Sequence, residues 1–336
     1  MKLKAGKLPP ELLGRLLKDV PANDPRVALG PKVGEDAALI DFGDRYLAAK
    51  TDPITFASDL IGWYLVQVNC NDLAVMGATP KWLMATLLLP EGTEDTQVQE
   101  IFQQLTTAAA EHDITLVGGH TEVSFGLPRP IAVGVLLGEV DKSDVVLTSG
   151  IEPGDAIVLT GGIAIEGTAL LAREAEAQLL DRGVPKATIE TAKQMLFTPG
   201  ISVREAAETA RRAVSVHGMH DPTEGGLASG LAEIAAAGEV GLTINRAAIE
   251  VLPECRAICD ALDLDPMGLI ASGALLAAVA SDDAAMLLAA LEAEGVAARV
   301  IGTATDPGEG LQMRVGGELV PIPIFERDEL ARYFGN

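Results

Sequence analysis

The chain has 336 residues, 48% of them hydrophobic and 22% charged, with a net charge of −23 and three cysteines. That much apolar material can fill more than one core, so two domains are expected, and acidity without a compensating Lys/Arg stripe excludes general nucleic-acid binding. Cys70, Cys255 and Cys259 are too few for a disulfide scaffold, and the longest nearly apolar stretch, Met267 to Ala280, falls short of the roughly 20 residues that a membrane helix needs.

The N-terminal segment MKLKAGKLPPELLGRLL starts basic but has no continuous apolar core or cleavage site. It does not read as a secretory signal, and a cytoplasmic location is expected. Lys4 and Lys7 there could fold over phosphates or stay on a solvated terminus. From Ala37 to Ala57 the pattern reads as a hairpin with Asp41 to Arg45 as its turn, leaving Asp36 and Asp52 at outer strand ends. Asp59 to Ala78 has helical periodicity: Leu65, Asn69, Asp72 and Met76 share one face, and Val66, Cys70, Leu73 and Gly77 the adjacent stripe. Gly77 followed by Pro80 is a stop signal.

A strand WLMATLLLP, a helix from Thr93 or Glu94, a strand ITLVGG and a strand RPIAVGVLLGEV follow. This alternation predicts an α+β or α/β layer architecture. The turn-rich TSGIEPGD sets a domain boundary, giving domains 1–148 and 149–336. The second half opens with the strand AIVLTG, turns through GGIAIEG into a helix, and stays helix-rich to Arg212. It then runs through a strand VSVHGM, a loop DPTEGG, a helix LASGLAEIAAAG and an α/β tail with LLAAVA and ARVIGTAT.

Several motifs exclude more than they assign. TGGIAIEG lacks both GxxxxGK[ST] and GxGxxG, so a tight strand-to-helix turn is expected, with anion binding as an addition. No GxSxG elbow occurs and no cysteine has a histidine near it in sequence, which disfavours acyl-enzyme chemistry. Cys255 and Cys259 have helical spacing without further zinc ligands and read as buried thiols. His217 and His220, three apart with no third ligand nearby, do not make a transition-metal site.

What remains is a set of carboxylates beside Gly, Asn or Thr at element ends: Asp36 in GEDAA, Asp52 in KTDPIT, Asp72 in NCNDLAVMGATP, Glu122 in GGHTEV and Asp221 in HDPTEGG. Carboxylates so placed can converge on Mg²⁺, which takes oxygen ligands, keeps waters and shares substrate phosphates. Taken singly they are caps and turn formers. Asp72 and Asn69 stand out, because a carboxylate on an apolar helix needs a partner, a metal or solvent. In GGHT, Gly118 and Gly119 would allow close backbone approach to a ligand, with His120 and Thr121 just past a strand. His120 is a candidate general acid/base, or a satisfied structural histidine.

In order, GEDAA, KTD, NDLAVMGATP, GGHTEV, PGDAIVLTG and DPTEGGLASGLAEIA resemble the aminoimidazole ribonucleotide synthetase (PurM-like) superfamily, over residues 25 to 305. That group includes the purine enzyme, selenophosphate synthetase, thiamine-monophosphate kinase and the hydrogenase maturation factor HypE, and the chain most resembles the HypE-like, AIR synthase-related proteins. The resemblance implies a two-domain PurM-like fold, with an N-terminal mixed sheet forming a barrel across a homodimer and a C-terminal α/β layer domain. It implies ATP and Mg²⁺ as cofactors, in a cleft with the metal at Asp36, Asp52, Asp72, Glu122 and Asp221. The nucleotide would also meet Lys50, Asn69, Gly118, Gly119, Thr121, Thr223 and Glu224, and Asp72, His120 and Asp221 would carry catalysis.

The implied chemistry is phosphorylation of a small molecule or a protein-carried group, in hydrogenase or cofactor maturation. A nucleotide-binding assembly factor with little catalysis, a thiamine-phosphate kinase-like enzyme and a metal-dependent phosphohydrolase are the alternatives. The wording departs from each named member. HypE carries its carbamoyl group on a C-terminal cysteine, whereas this sequence ends RDELARYFGN and its last cysteine is Cys259. There is no cysteine before Cys70 to match selenophosphate synthetase, and ASGALLAAV stands where the thiamine kinase has an SGGDDYEL-like segment. The substrate is therefore left open, with a maturation partner protein as one candidate.

Overall fold

A computed structural model describes residues 6–8, 10–21 and 23–335; Lys4 lies outside the described residues. In chain order the helices and strands are α1 (Pro10–Lys18), β1 (Val27–Leu29), β2 (Ala38–Asp41), β3 (Arg45–Ile54), α2 (Ile61–Val75), β4 (Thr79–Pro90), α3 (Asp95–Glu111), β5 (Thr115–Ser124) and β6 (Ile131–Asp141). Then come β7 (Ala156–Thr160), α4 (Ile165–Glu174), α5 (Glu176–Asp181), α6 (Lys186–Gln194), α7 (Arg204–Ala213), β8 (Val216–His220), α8 (Gly226–Gly238) and β9 (Gly241–Asn245). The tail holds α9 (Pro253–Leu262), β10 (Leu276–Val279), α10 (Ala284–Ala293), β11 (Ala298–Thr305), β12 (Leu311–Val315), β13 (Glu318–Pro321) and α11 (Glu329–Phe334). They form two compact units: residues 23–30 with 36–145, and the described residues up to Pro21 with 31–35 and 146–335. Among the described residues no helix is long and apolar enough to cross a membrane.

The first unit is built on a mixed six-stranded sheet, ordered β1-β2-β3-β6-β4-β5. Its β2–β3 hairpin pairs Ala38 with Ala49 through Asp41 with Tyr46, closing over Gly43 at φ 97°. The strand β3 then runs antiparallel to β6 over its whole length. Every residue of α2 except Trp63 is buried, because this helix packs on the sheet and on α3 at once. Glycines make both approaches possible. A Cβ on Gly62 would stand 2.4 Å from the Ile101 carbonyl oxygen of α3, and one on Gly134 of β6 would stand 2.7 Å from Asn69 Nδ2. The helix stops where the sequence indicates: Gly77 takes φ 79°, and the Ala78 N–H donates back to the Leu73 carbonyl at 2.9 Å.

One boundary differs from the sequence reading. His120, Thr121 and Glu122 lie inside β5 rather than past its end, because parallel pairing with β4 continues through Pro90 and Ser124. The strand absorbs an extra residue at Val117, where the register jumps between Leu83–Leu116 and Met84–Gly118.

The second unit carries a seven-stranded sheet, ordered β13-β12-β9-β11-β7-β10-β8, antiparallel except for the β9–β12 pair. Ile157, Leu159, Leu242, Ile244, Leu276 and Ile301 of this sheet pack with Leu227, Leu231 and Ile234 of α8 into one core. In the TGGIAIEG turn, a Cβ on Gly162 would meet Leu252 Cγ at 2.7 Å and one on Gly167 would meet Leu269 Cγ at 2.4 Å. Those glycines are therefore spent on packing.

Candidate functional site

Seating α2 on the bare glycines of β6 brings its polar residues over β3. Lys50 and Asp52, two apart on β3, share one face of that strand. The Lys50 ammonium lies 2.8 Å from Asp72 Oδ1 on α2 and 3.5 Å from Asp52 Oδ2. Asp36, just before β2, is buried and adds its charge to the same field. Burial opposes the charge on Lys50, yet Asp72, Asp52 and Asp36 outweigh it and hold the ammonium pKa well above its usual value.

Asn69 shares the helix face of Asp72, but both ends of its amide are engaged. Its Oδ1 accepts the Asp52 N–H at 3.1 Å, and its Nδ2 donates to the Leu65 carbonyl at 2.8 Å. Fully buried, it fixes the backbone of Asp52 where the resemblance implies a nucleotide contact. The Thr51 hydroxyl donates to the Gly134 carbonyl at 2.7 Å, which ties β3 to β6 at the same place.

Across the sheet, Asp52 pairs with Gly134, Gly134 with Ala85, and Ala85 with Gly119. At about 4.8 Å per strand this puts Gly119 roughly 14 Å from Asp52. A Cβ on Gly119 would stand 1.9 Å from the Ala85 carbonyl oxygen, whereas one on Gly118 would meet only Met84 Cγ, at 3.9 Å. Gly119 therefore serves strand pairing, and Gly118 is the open member of the pair. His120, Thr121 and Glu122 are exposed on this edge strand. His120 Nε2 lies 3.0 Å from Glu122 Oε2, and the Ser124 hydroxyl donates to Glu122 Oε1 at 2.7 Å. Ser124 and then His120 hold the Glu122 carboxyl below its ordinary range. Glu122 thus bonds within β5 and not to the Lys50 group.

In the second unit the loop DPTEGG leaves β8 and enters α8. Asp221 is buried at the strand end. The Lys7 ammonium donates to Thr223 Oγ1 at 3.0 Å and lies 3.7 Å from Glu224 Oε2 and 3.5 Å from Glu233 Oε1. Glu233, on α8, also meets His220 Nε2 at 2.9 Å. Burial disfavours its charge, but Lys7 and His220 prevail and lower its pKa to about 2. Sequence reasoning passed over Glu233, and its signal was a lone carboxylate inside the apolar LASGLAEIAAAG. His217 turns instead to Asp155, at 2.8 Å. Cys255 and Cys259 are buried free thiols with their sulfurs 3.9 Å apart.

Asp328, also unread in the sequence, closes the loop from the far side. It accepts from the Gly225 N–H at 2.6 Å and from the Leu330 N–H at 2.7 Å, capping α11. Burial raises its pKa from 3.8 to about 7; those N–H bonds pull it down, and Glu224 and Glu329 push it up. Burial likewise lifts Glu166, with Ser272 opposing and Glu224 and Asp328 adding, to about 8. A raised carboxyl pKa means that the folded chain keeps a proton the unfolded chain has lost. The Asp328 contribution to stability is thus full below pH 3.8 and disappears as pH rises through about 7. We expect the unfolding free energy to fall between about pH 4 and 8, and Asp328→Asn to reduce that fall by on the order of a few kcal/mol; equal slopes in urea denaturation of the two proteins across this range would refute it.

Residues 34–140 match the family AIR synthase related protein, N-terminal domain, and residues 152–314 match its C-terminal domain. A Methanocaldococcus jannaschii protein named for hydrogenase expression/formation is 31% identical over 330 residues, covering 95% of each chain. The carbamoyl dehydratase HypE of Cupriavidus necator is 33% identical over 273 residues, covering 78% of this chain and 73% of that one. Among solved structures, hydrogenase maturation protein HypE in complex with ATP superposes with a TM-score of 0.69 at 23% identity, over 94% of this chain and 96% of that one.

Proposed function

We propose that this chain, which belongs to the AIR synthase-related family, binds ATP with Mg²⁺ and phosphorylates, and so activates, a group on a small molecule or on a maturation partner protein. The observation that carries this reading is the convergence of Asp52 and Asp72 on one cation, the Lys50 ammonium, with Asp36 adding its charge. An oxygen-only donor set that already holds a positive charge and stays partly open to water is the set Mg²⁺ requires. Family membership and the likeness to HypE with bound ATP support a nucleotide as the ligand.

Bound Mg²⁺ would supply positive charge to oxygens on which negative charge develops during phosphoryl transfer. Asp36, Asp52 and Asp72 would hold it, whereas Glu122, bonded to His120 and Ser124 within β5, stands apart from that group. Asn69 keeps Asp52 in place through its backbone, and this rigidity limits the reorganisation the site must undergo. Within the first unit, Gly118 and Thr121 are the candidate nucleotide contacts. His120, oriented by Glu122, is the candidate proton acceptor for an incoming hydroxyl or thiol. We place the protein in the cytoplasm as a homodimer.

Purified protein should release ADP from ATP when Mg²⁺ is present and stop when it is chelated. Thermal shifts with ATP, ADP and sugar phosphates, each with and without Mg²⁺, should single out the adenine nucleotides. A larger shift with a sugar phosphate would turn the assignment to a phosphohydrolase.

A further inference from the structure

Lys50 occupies an unusual place. Its ammonium sits between the carboxylates that the proposed function assigns to the metal, 2.8 Å from Asp72 Oδ1 and 3.5 Å from Asp52 Oδ2. Its side chain is only 20% exposed and that of Asp72 only 5%. A single positive charge at that distance from Asp72 leaves little room for a divalent ion on the same oxygens while the ammonium stays. Two cations that close would also repel strongly in a partly desolvated site.

We infer that Lys50 is a tethered counter-ion that occupies the divalent-cation position in the resting protein, so that a metal enters only by displacing the ammonium from Asp72 and Asp52. This inference rests on the metal reading of Asp36, Asp52 and Asp72 given above.

Two consequences follow from the chemistry. In the resting state the ammonium neutralises carboxylates that would otherwise repel one another across α2 and β3, so the fold does not depend on a bound metal. When a metal arrives, the ammonium leaves its partners and needs another anion. Its four-carbon stem lets the charge move while β3 stays fixed by its pairing with β6. A metal that brings an anionic ligand satisfies the displaced ammonium, whereas a bare metal ion does not. Metal and polyphosphate should therefore bind with positive coupling, each raising the affinity for the other by the same factor. Such an interlock keeps the site from filling with free Mg²⁺ and reserves it for the metal–nucleotide complex.

The test is titration of the whole protein with Mn²⁺, an oxygen-seeking substitute for Mg²⁺ with a readable magnetic signal. It is done with and without a non-hydrolysable ATP analogue, on wild type, Lys50→Met, Lys50→Arg and Asp72→Asn. Without nucleotide, Lys50→Met is expected to bind Mn²⁺ at least about tenfold more tightly than wild type, a gain of about 1.4 kcal/mol, and Lys50→Arg to stay close to wild type. The analogue should raise Mn²⁺ affinity more in wild type than in Lys50→Met. Any loss of thermal stability in Lys50→Met should be recovered by Mn²⁺. Binding by Lys50→Met equal to or weaker than wild type, or a stability loss that Mn²⁺ does not recover, would make Lys50 an ordinary structural ion-pair partner and overturn the inference. If Asp72→Asn still loses Mn²⁺ in that case, the metal site itself stands. Absence of Mn²⁺ binding in every protein, with and without the analogue, would remove the metal reading and the inference together.

Discussion

Replacing Asp72 with asparagine is expected to lower Mg²⁺-dependent ATP turnover by on the order of 10²- to 10³-fold, the usual loss when one preorganised charge-stabilising group is removed from a reacting centre. The substitution keeps the shape of the side chain and removes only its charge. Asp72 is buried on α2, and its Oδ1 lies closer to the Lys50 ammonium than Asp52 does, so the substitution removes the nearer of the two charges. Stability should change much less than activity. Breaking a fully buried ion pair costs roughly 3–5 kcal/mol, but here Lys50 keeps Asp52 at 3.5 Å and some contact with water, so a loss of about 1–2 kcal/mol is expected. Urea denaturation beside steady-state kinetics separates the two effects. A folded Asp72→Asn protein with wild-type turnover would remove Asp72 from the chemistry.

Replacing Gly119 with alanine should cost about 3 kcal/mol or more of stability, while the same change at Gly118 should stay within about 0.5 kcal/mol. The contrast follows from β5 alone. A Cβ at 119 would press on the Ala85 backbone, 1.9 Å from its carbonyl oxygen, with the backbone at φ 153°, and neither the carbonyl nor the strand can yield without breaking the β4–β5 register. At 118 the nearest atom is the flexible end of Met84, and alanine suits a strand better than glycine. Denaturant midpoints for the two variants decide the matter. Equal, small losses of stability at both positions would mean that Gly119 is not needed for pairing. Because a Cβ at Gly118 would meet no atom closer than Met84 Cγ at 3.9 Å, a fall in nucleotide affinity in a stable Gly118→Ala protein would be the sign of close ligand approach there.

These cases show what the sequence made legible. The hairpin turn at Asp41 to Arg45, the helix α2 within Asp59 to Ala78 and its stop at Gly77 follow from local rules of periodicity and turn chemistry, and they appear where those rules place them. The segment ARVIGTAT, read only as part of an α/β tail, is the strand β11. The short strands β9, β12 and β13 carry too few residues for a periodic signal and form only because neighbours pair with them. The extent of β5 was misread because two glycines in a row look like a strand end, while the partner strand β4 holds them in register.

The site was partly legible. Asp72 with Asn69 on an apolar helix demanded partners, and the structure supplies them. Their division of labour was hidden: Asn69 is spent on the Asp52 backbone, and Lys50 rather than solvent answers Asp72. Neither could be read without knowing that Gly134 lets α2 settle onto β3 and β6. Glu233, Glu166 and Asp328 escaped notice for a related reason. Glu233 and Glu166 are single carboxylates in apolar stretches and Asp328 is one of four charged residues in a row, while telling partners lie far away in sequence: Lys7 for Glu233, and Gly225 for Asp328.

Calorimetric titration of the whole protein with ATP, in Mg²⁺ and again with Mg²⁺ chelated, tests the nucleotide assignment most directly. Saturable binding of one nucleotide per chain that collapses on chelation, and that is weakened to a similar degree in Asp72→Asn, is the expected result. No binding in Mg²⁺, or binding of equal strength with the metal chelated and in Asp72→Asn, would contradict a metal-dependent ATP site built on Asp36, Asp52 and Asp72.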